Sequence, residues 1–283
     1  MLPADFDYVA PDSLEEAVRI LADDPDARAL AGGQSLVPLL KLRLADPGRL
    51  VDLGRLDGLR YVRREDGQVA VGALTTHAEV AASGELRGGL RALAEAARSV
   101  GDAQVRNRGT LGGSLAHADP SADLPAAALA LDATLVVRGP EGERRVPARD
   151  FFRGLWTTAL EPGELLVEVR LPAADGARGS YRKLRQEASG FALVGAAAAI
   201  ETEGSVCRRA AVGVTGAGTA PLRLAAVEEA LVGGPLTEER VREACEDAGE
   251  AVEAPQDSAH GSAEYRRAMT GVLARRAVLA AAG

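Results

Sequence analysis

Cysteine is nearly missing from this chain of 283 residues: Cys207 and Cys245 stand far apart and belong to no CxxC or Cys/His ligand spacing. That excludes an iron–sulfur cluster carried by this chain. Histidine is as scarce, and His77, His117 and His260 form neither a metal-ligand pattern nor a defensible Ser/His/Asp arrangement, so no nucleophile is expected. Aromatic residues make up 3%, with Trp156 the only tryptophan. No apolar run is long enough to span a bilayer, and the opening Met1-Leu2-Pro3-Ala4-Asp5 has no basic leader. The expected compartment is a reducing cytoplasm, without membrane insertion. An excess of basic charge is also missing: 33 Lys and Arg face 41 Asp and Glu, a net charge of −8. Nucleic-acid binding is thereby excluded, because it needs cations gathered against phosphates. Short basic clusters such as Arg60–Arg64 read as solvated faces or subunit contacts.

Glycine, by contrast, is plentiful and patterned. Ala31-Gly32-Gly33-Gln34-Ser35-Leu36 and Thr110-Leu111-Gly112-Gly113-Ser114-Leu115 have related wording. They read as two backbone loops around one anionic ligand, with paired glycines supplying positive φ and close approach of peptide N–H groups to a diphosphate. The hydroxyls of Ser35, Thr110 and Ser114 add donors at the same rim. Behind the second segment lie Asp119 and Asp123. A carboxylate facing a diphosphate is repelled, so these acids suit sugar or ribityl hydroxyls, or ring N–H donors. Asp119, followed by Pro120, also reads as a helix N-cap.

A length of 283 residues and a hydrophobic content of 47% predict two domains or three small lobes. Capping boxes at Ser13–Glu16 and Thr76–Glu79 open helices, and a longer helix is expected over 86–100. Strands are expected at 27–31, 49–53, 68–72, 133–138 and 164–171. In the last of these, alternation puts Leu165, Val167, Val169 and Leu171 on one face and leaves Leu166 as an apolar residue on a polar face. Leu166 either packs under a loop or touches a flat ligand ring. After a boundary-like stretch at 172–179 come two strands, 191–200 and 209–215, and helices near 221–231, 236–252 and 263–282. Gly213-Val214-Thr215-Gly216-Ala217-Gly218 is not a full GxGxxG and reads as a strand end.

These residues resemble the flavoprotein (medium) subunit of the molybdenum hydroxylases, of the carbon monoxide dehydrogenase and xanthine dehydrogenase type. Phe6-Asp7-Tyr8 with Pro11, the two glycine segments, Lys41-Leu42-Arg43, Asp119 to Pro125, and Pro221-Leu222-Arg223 with Glu228-Glu229-Ala230-Leu231 carry the likeness over essentially the whole chain. The resemblance implies an α+β fold: a two-lobed FAD-binding domain of the vanillyl-alcohol-oxidase type over 1–175, with lobes of about 1–55 and 56–175, then a small α+β domain over 176–283. It implies FAD held by Ala31, Gly32, Gly33, Gln34, Ser35 and Leu36, by Thr110, Gly112, Gly113 and Ser114, and by Asp119, Asp123, Leu166 and Lys183, the lysine near the flavin ring. Gln34 stands where a histidine often occurs, so no covalent flavin link is expected; Gly190-Phe191 replaces an acidic residue before an aromatic or aliphatic one, which bears on acceptor and potential.

The implied task is electron relay. A large subunit with a molybdopterin cofactor oxidises the substrate, a small subunit with [2Fe–2S] clusters passes electrons on, and FAD delivers them to NAD⁺, a quinone or another acceptor, in a dimer of heterotrimers. A stand-alone FAD oxidoreductase and a flavin-less assembly scaffold are the alternatives.

Overall fold

The computed structural model describes residues 2–283, built around three main sheets. A parallel sheet orders Asp7–Val9, Arg49–Asp52 and Ala27–Leu30, with Arg49–Asp52 central. Helix Leu14–Asp23 lays Ala17 and Val18 on it. Ser13 Oγ accepts from Glu16 N, but the Glu16 carboxylate accepts from Asp12 N, so only half of the expected capping box forms here. At Thr76 the box is complete.

The second sheet is antiparallel, in the order Val62–Glu65, Gln68–Gly72, Leu165–Pro172, Thr134–Gly139, Gly142–Pro147. A β-bulge between Leu166 and Glu168 overturns the expected alternation of its central strand. One unpaired residue re-phases the side chains. Leu165 and Val167 therefore pack into a smaller core with Val18 and Val51, whereas Leu166, Val169 and Leu171 enter the larger core. Leu166 is thus a core residue and no isolated apolar group on a polar face.

The third sheet pairs Ala177–Arg185, Ala192–Glu203, Val206–Thr215 and Leu222–Arg223 antiparallel. Ala177–Arg185 hides from sequence reading because small and polar residues occupy its buried positions. Ser180 Oγ donates to Ala277 O of helix Ala263–Ala282 at 2.7 Å, and a Cβ on Gly179 would stand 2.9 Å from Ala92 N. The helix expected over 86–100 is shorter, Arg91–Ser99, preceded by a 3-10 turn Gly88–Leu90 in which Gly88 has φ +58°. The one expected over 236–252 ends as Glu238–Cys245, with a separate turn at Ala248–Ala251.

The segment 119–123 differs most from expectation. No helix starts at Pro120; Asp119 Oδ1 accepts from Ser121 N at 2.8 Å in a turn, and the helix is Leu124–Ala130. The third sheet supplies the reason. Pro120 O accepts from Gly216 N, the single Thr215 Oγ1 proton is shared between Pro120 O and Ala122 O, and Ser121 O accepts from Ala192 N. Carbonyls that a helix would use internally are bonded to another element.

Candidate functional site: a cleft between the glycine segments

A cleft of about 450 Å³ opens between the parallel sheet, the second glycine segment and the central strand Leu165–Pro172. Ala31 through Leu36, Thr110, Gly112, Gly113, Ser114, Asp119, Asp123 and Leu166 all line it. Lys183 is not among the lining residues.

The two glycine segments play unequal parts. The first leaves strand Ala27–Leu30, turns at Gly33 with φ +73°, and enters helix Leu36–Leu42. Among the described residues, the N–H groups of Gly32, Gly33, Gln34 and Ser35 find no acceptor in the protein, and the Ser35 hydroxyl makes no cap bond. A row of unsatisfied N–H donors on an open turn is a cradle for an anion.

The second segment is not an open loop but the first turns of helix Leu111–His117, capped by Thr110. Its N–H groups are already bonded: Leu111 N to Thr75 O, Gly112 N to Ala73 O, and Gly113 N to Thr110 Oγ1. Of Gly32, Gly33, Gly112 and Gly113, only Gly33 has positive φ. The others permit close packing. A Cβ on Gly32 would lie 2.7 Å from the Arg108 carbonyl carbon, and one on Gly112 would lie 2.8 Å from Ala73 O. The second segment therefore gives the cleft a wall and the Ser114 hydroxyl rather than a second row of N–H donors.

Asp123 and Lys183 form a buried ion pair, 4% and 6% exposed, with Nζ to Oδ1 at 2.8 Å. Tyr181 OH donates to Asp123 at 2.6 Å, and the ammonium also donates to Ser99 O and Gly190 O. Burial pushes the Asp123 carboxyl up while the Lys183 ammonium opposes it. With these partners in place, the pair binds the third sheet to the cleft wall and holds the Gly190 end of the turn leading to Phe191.

Sequence reasoning missed three polar contributors. Lys41 and Arg108 line a second hollow of about 380 Å³ that shares Ala31, Gly32, Gly33 and Gln34 with the cleft. Neither cation takes part in an ion pair among the described residues; Asp52 lines the same hollow, but its carboxylate oxygens already accept from Tyr8 OH and Gly54 N. His77 lines the cleft from the first turn of helix His77–Ala82. Its position inside the Thr76 capping box was the available signal.

Burial, with the nearby Arg106 charge, pushes the His77 imidazole down to about 4. The unfolded chain takes up this proton near pH 6.5 and the folded chain only near 4, so the His77 contribution is whole above 6.5 and is lost on acidification between those values. Wild-type stability should fall relative to a His77→Gln variant by about 1.4 kcal/mol per pH unit across that window, measured by urea unfolding at a series of pH values. Parallel stability–pH curves for the two proteins would contradict this.

Two family models cover the chain in order. The first, the FAD binding domain in molybdopterin dehydrogenase, matches residues 4–174. The chain belongs to this flavoprotein family. The second, the CO dehydrogenase flavoprotein C-terminal domain, matches residues 179–281. The chain is 40% identical to the carbon monoxide dehydrogenase medium chain of Hydrogenophaga pseudoflava, over 99% of this chain and 98% of the relative. It is 36% identical to the glyceraldehyde dehydrogenase medium chain of Sulfolobus acidocaldarius, over 98% of both chains. Among solved structures, a carbon monoxide dehydrogenase from H. pseudoflava that lacks the Mo-pyranopterin moiety superimposes with a TM-score of 0.95 at 41% identity, covering 99% of this chain and 98% of that one. Quinoline 2-oxidoreductase from Pseudomonas putida 86 gives 0.92 at 36% identity, covering 100% and 98%.

The cleft suits the cofactor of this family. A dinucleotide needs anion donors at its diphosphate and an apolar wall at its ring system. The open N–H row of the first segment supplies the former, and Leu165 and Leu166 contribute to the latter. No cluster of three or more His, Cys, Asp or Glu side chains able to hold a metal occurs among the described residues.

Proposed function

We propose that this chain is the electron-relay subunit of a molybdenum hydroxylase, receiving electrons from [2Fe–2S] clusters of a small subunit and passing them to NAD⁺, a quinone or another acceptor. A large molybdopterin subunit carries out the substrate oxidation, and the assembly is a dimer of heterotrimers. The carrying observation is the row of free N–H donors from Gly32 to Ser35 beside the apolar Leu166 wall. Bound FAD supplies a two-electron redox group.

The chain's own residues bind and orient it. Ala31 to Leu36 hold the diphosphate, and Thr110, Gly112, Gly113 and Ser114 close the opposite wall. Asp119 meets a polar group of the cofactor, whereas Asp123 and Lys183 fix the wall from behind. The division into a two-lobed part over 1–175 and a second domain over 176–283 belongs to the same reading and is supported by the separate sheets. A cytoplasmic setting is likewise proposed; among the described residues no helix is long and apolar enough to cross a membrane.

The test is the visible spectrum after incubation with FAD and gel filtration, on the chain alone and on the chain co-expressed with its partner subunits. Retained flavin is expected in at least one form, and because Gln34 stands in the first segment it should be released whole by acid. A colourless complex would favour the scaffold reading. Turnover of a small molecule by the isolated yellow chain would favour the stand-alone oxidoreductase.

A further inference from the structure

We propose that His77 donates a hydrogen bond from Nε2 to an oxygen atom of the dinucleotide held in the cleft. This deepens the FAD reading and rests on it.

The ring is held in place by its backbone. Thr76 and Glu79 close a reciprocal capping box around it, and His77 N donates to Gly109 O at 2.9 Å, fastening the residue beside Thr110. The side of the ring toward Gly109 is shaped to fit: a Cβ on Gly109 would stand 2.8 Å from both Nε2 and Cδ2. His77 is 4% exposed. Its Nδ1 is sealed and has no partner, while Nε2 also lacks a protein partner but is not sealed. The imidazole lines the cleft, so Nε2 is the nitrogen that a ligand can reach.

A neutral imidazole carries one proton, and the nitrogen open to an acceptor is the one that gains from bearing it. The Arg106 guanidinium, anchored on Val100 O and Gly101 O, adds positive charge close by and disfavours the doubly protonated ring. If His77 served only to fill space, a leucine would do so without the sealed, unsatisfied Nδ1, which is costly in a buried setting. A bound dinucleotide oxygen would satisfy the reachable Nε2.

The experiment compares wild type, His77→Leu and His77→Gln in whichever form of the protein retains flavin, titrating FAD by flavin fluorescence with thermal unfolding as the folding control. The leucine variant should bind FAD about tenfold more weakly, and glutamine, whose amide N–H can replace the donor, should stay within about threefold of wild type. Leucine binding within threefold of wild type would overturn the assignment and leave the FAD reading standing. Equal large losses in both variants would also overturn it, since they would show that the imidazole matters for packing against Gly109. Absence of FAD binding in every form of the wild type would overturn both readings. Should the leucine variant fail to fold, ring-¹⁵N histidine spectra of the wild type decide, because only three histidines contribute. One Nε2–H signal, identified by its loss in His77→Gln, should shift and become protected on FAD addition; a signal that stays unchanged would sink the proposal.

Discussion

Asp123→Ala should lower the unfolding free energy by about 3–5 kcal/mol, because it leaves the Lys183 ammonium buried without its counter-charge. The two side chains are 4% and 6% exposed and 2.8 Å apart, so little solvent is available to replace the lost partner. The Tyr181 hydroxyl also loses its acceptor. The expected result in urea unfolding is a large drop in midpoint, with partial recovery in an Asp123→Ala/Lys183→Met double variant that removes both charges. Flavin affinity should weaken too, but as a consequence of the shifted 119–123 wall. Because both carboxylate oxygens are already bonded to Lys183 or Tyr181, a loss confined to flavin affinity, with unchanged stability, would refute this assignment.

Gly32→Ala should abolish FAD retention on gel filtration and lower stability by about 1–3 kcal/mol. The added methyl would run into the Arg108 carbonyl, with the carbonyl carbon 2.7 Å and Gly109 Cα 2.8 Å away. These are backbone atoms and cannot rotate aside. The loop must move, carrying the free N–H groups of Gly33, Gln34 and Ser35 out of register with one another. Gly84→Ala is the matched control, since a Cβ there meets nothing within 4 Å; it should leave flavin binding intact. Tight flavin binding by the Gly32 variant would show that the first segment does not form the diphosphate cradle.

These two substitutions separate what local sequence encodes from what it does not. The glycine segments and the caps at Ser13 and Thr76 were legible, because capping is decided within a few residues, and the helix Ala263–Ala282 was expected over the same residues. The scarcity of cysteine and the net charge of −8 narrowed the function before any fold was known. The family likeness, resting on motifs in order along the chain, supplied the cofactor.

Tertiary structure decided which of those motifs have donors to spare. The second glycine segment looked like a copy of the first, yet Ala73 O, Thr75 O and Thr110 Oγ1 take its N–H groups. Asp119 looked like a helix cap, yet the third sheet captures the carbonyls of Pro120, Ser121 and Ala122. Leu166 looked stranded on a polar face until a single bulge turned it into the core and the cleft wall. Apart from Thr110 Oγ1, which is local to Gly113, these hydrogen-bond and packing partners lie far away in the chain. The sequence by itself determined the capped helix starts at Ser13 and Thr76, the turn at Gly33 and, through the family likeness, the kind of ligand. The allocation of donors, acceptors and buried charge among distant segments depended on the assembled fold, because a buried polar group is satisfied by whatever packing brings within about 3 Å of it.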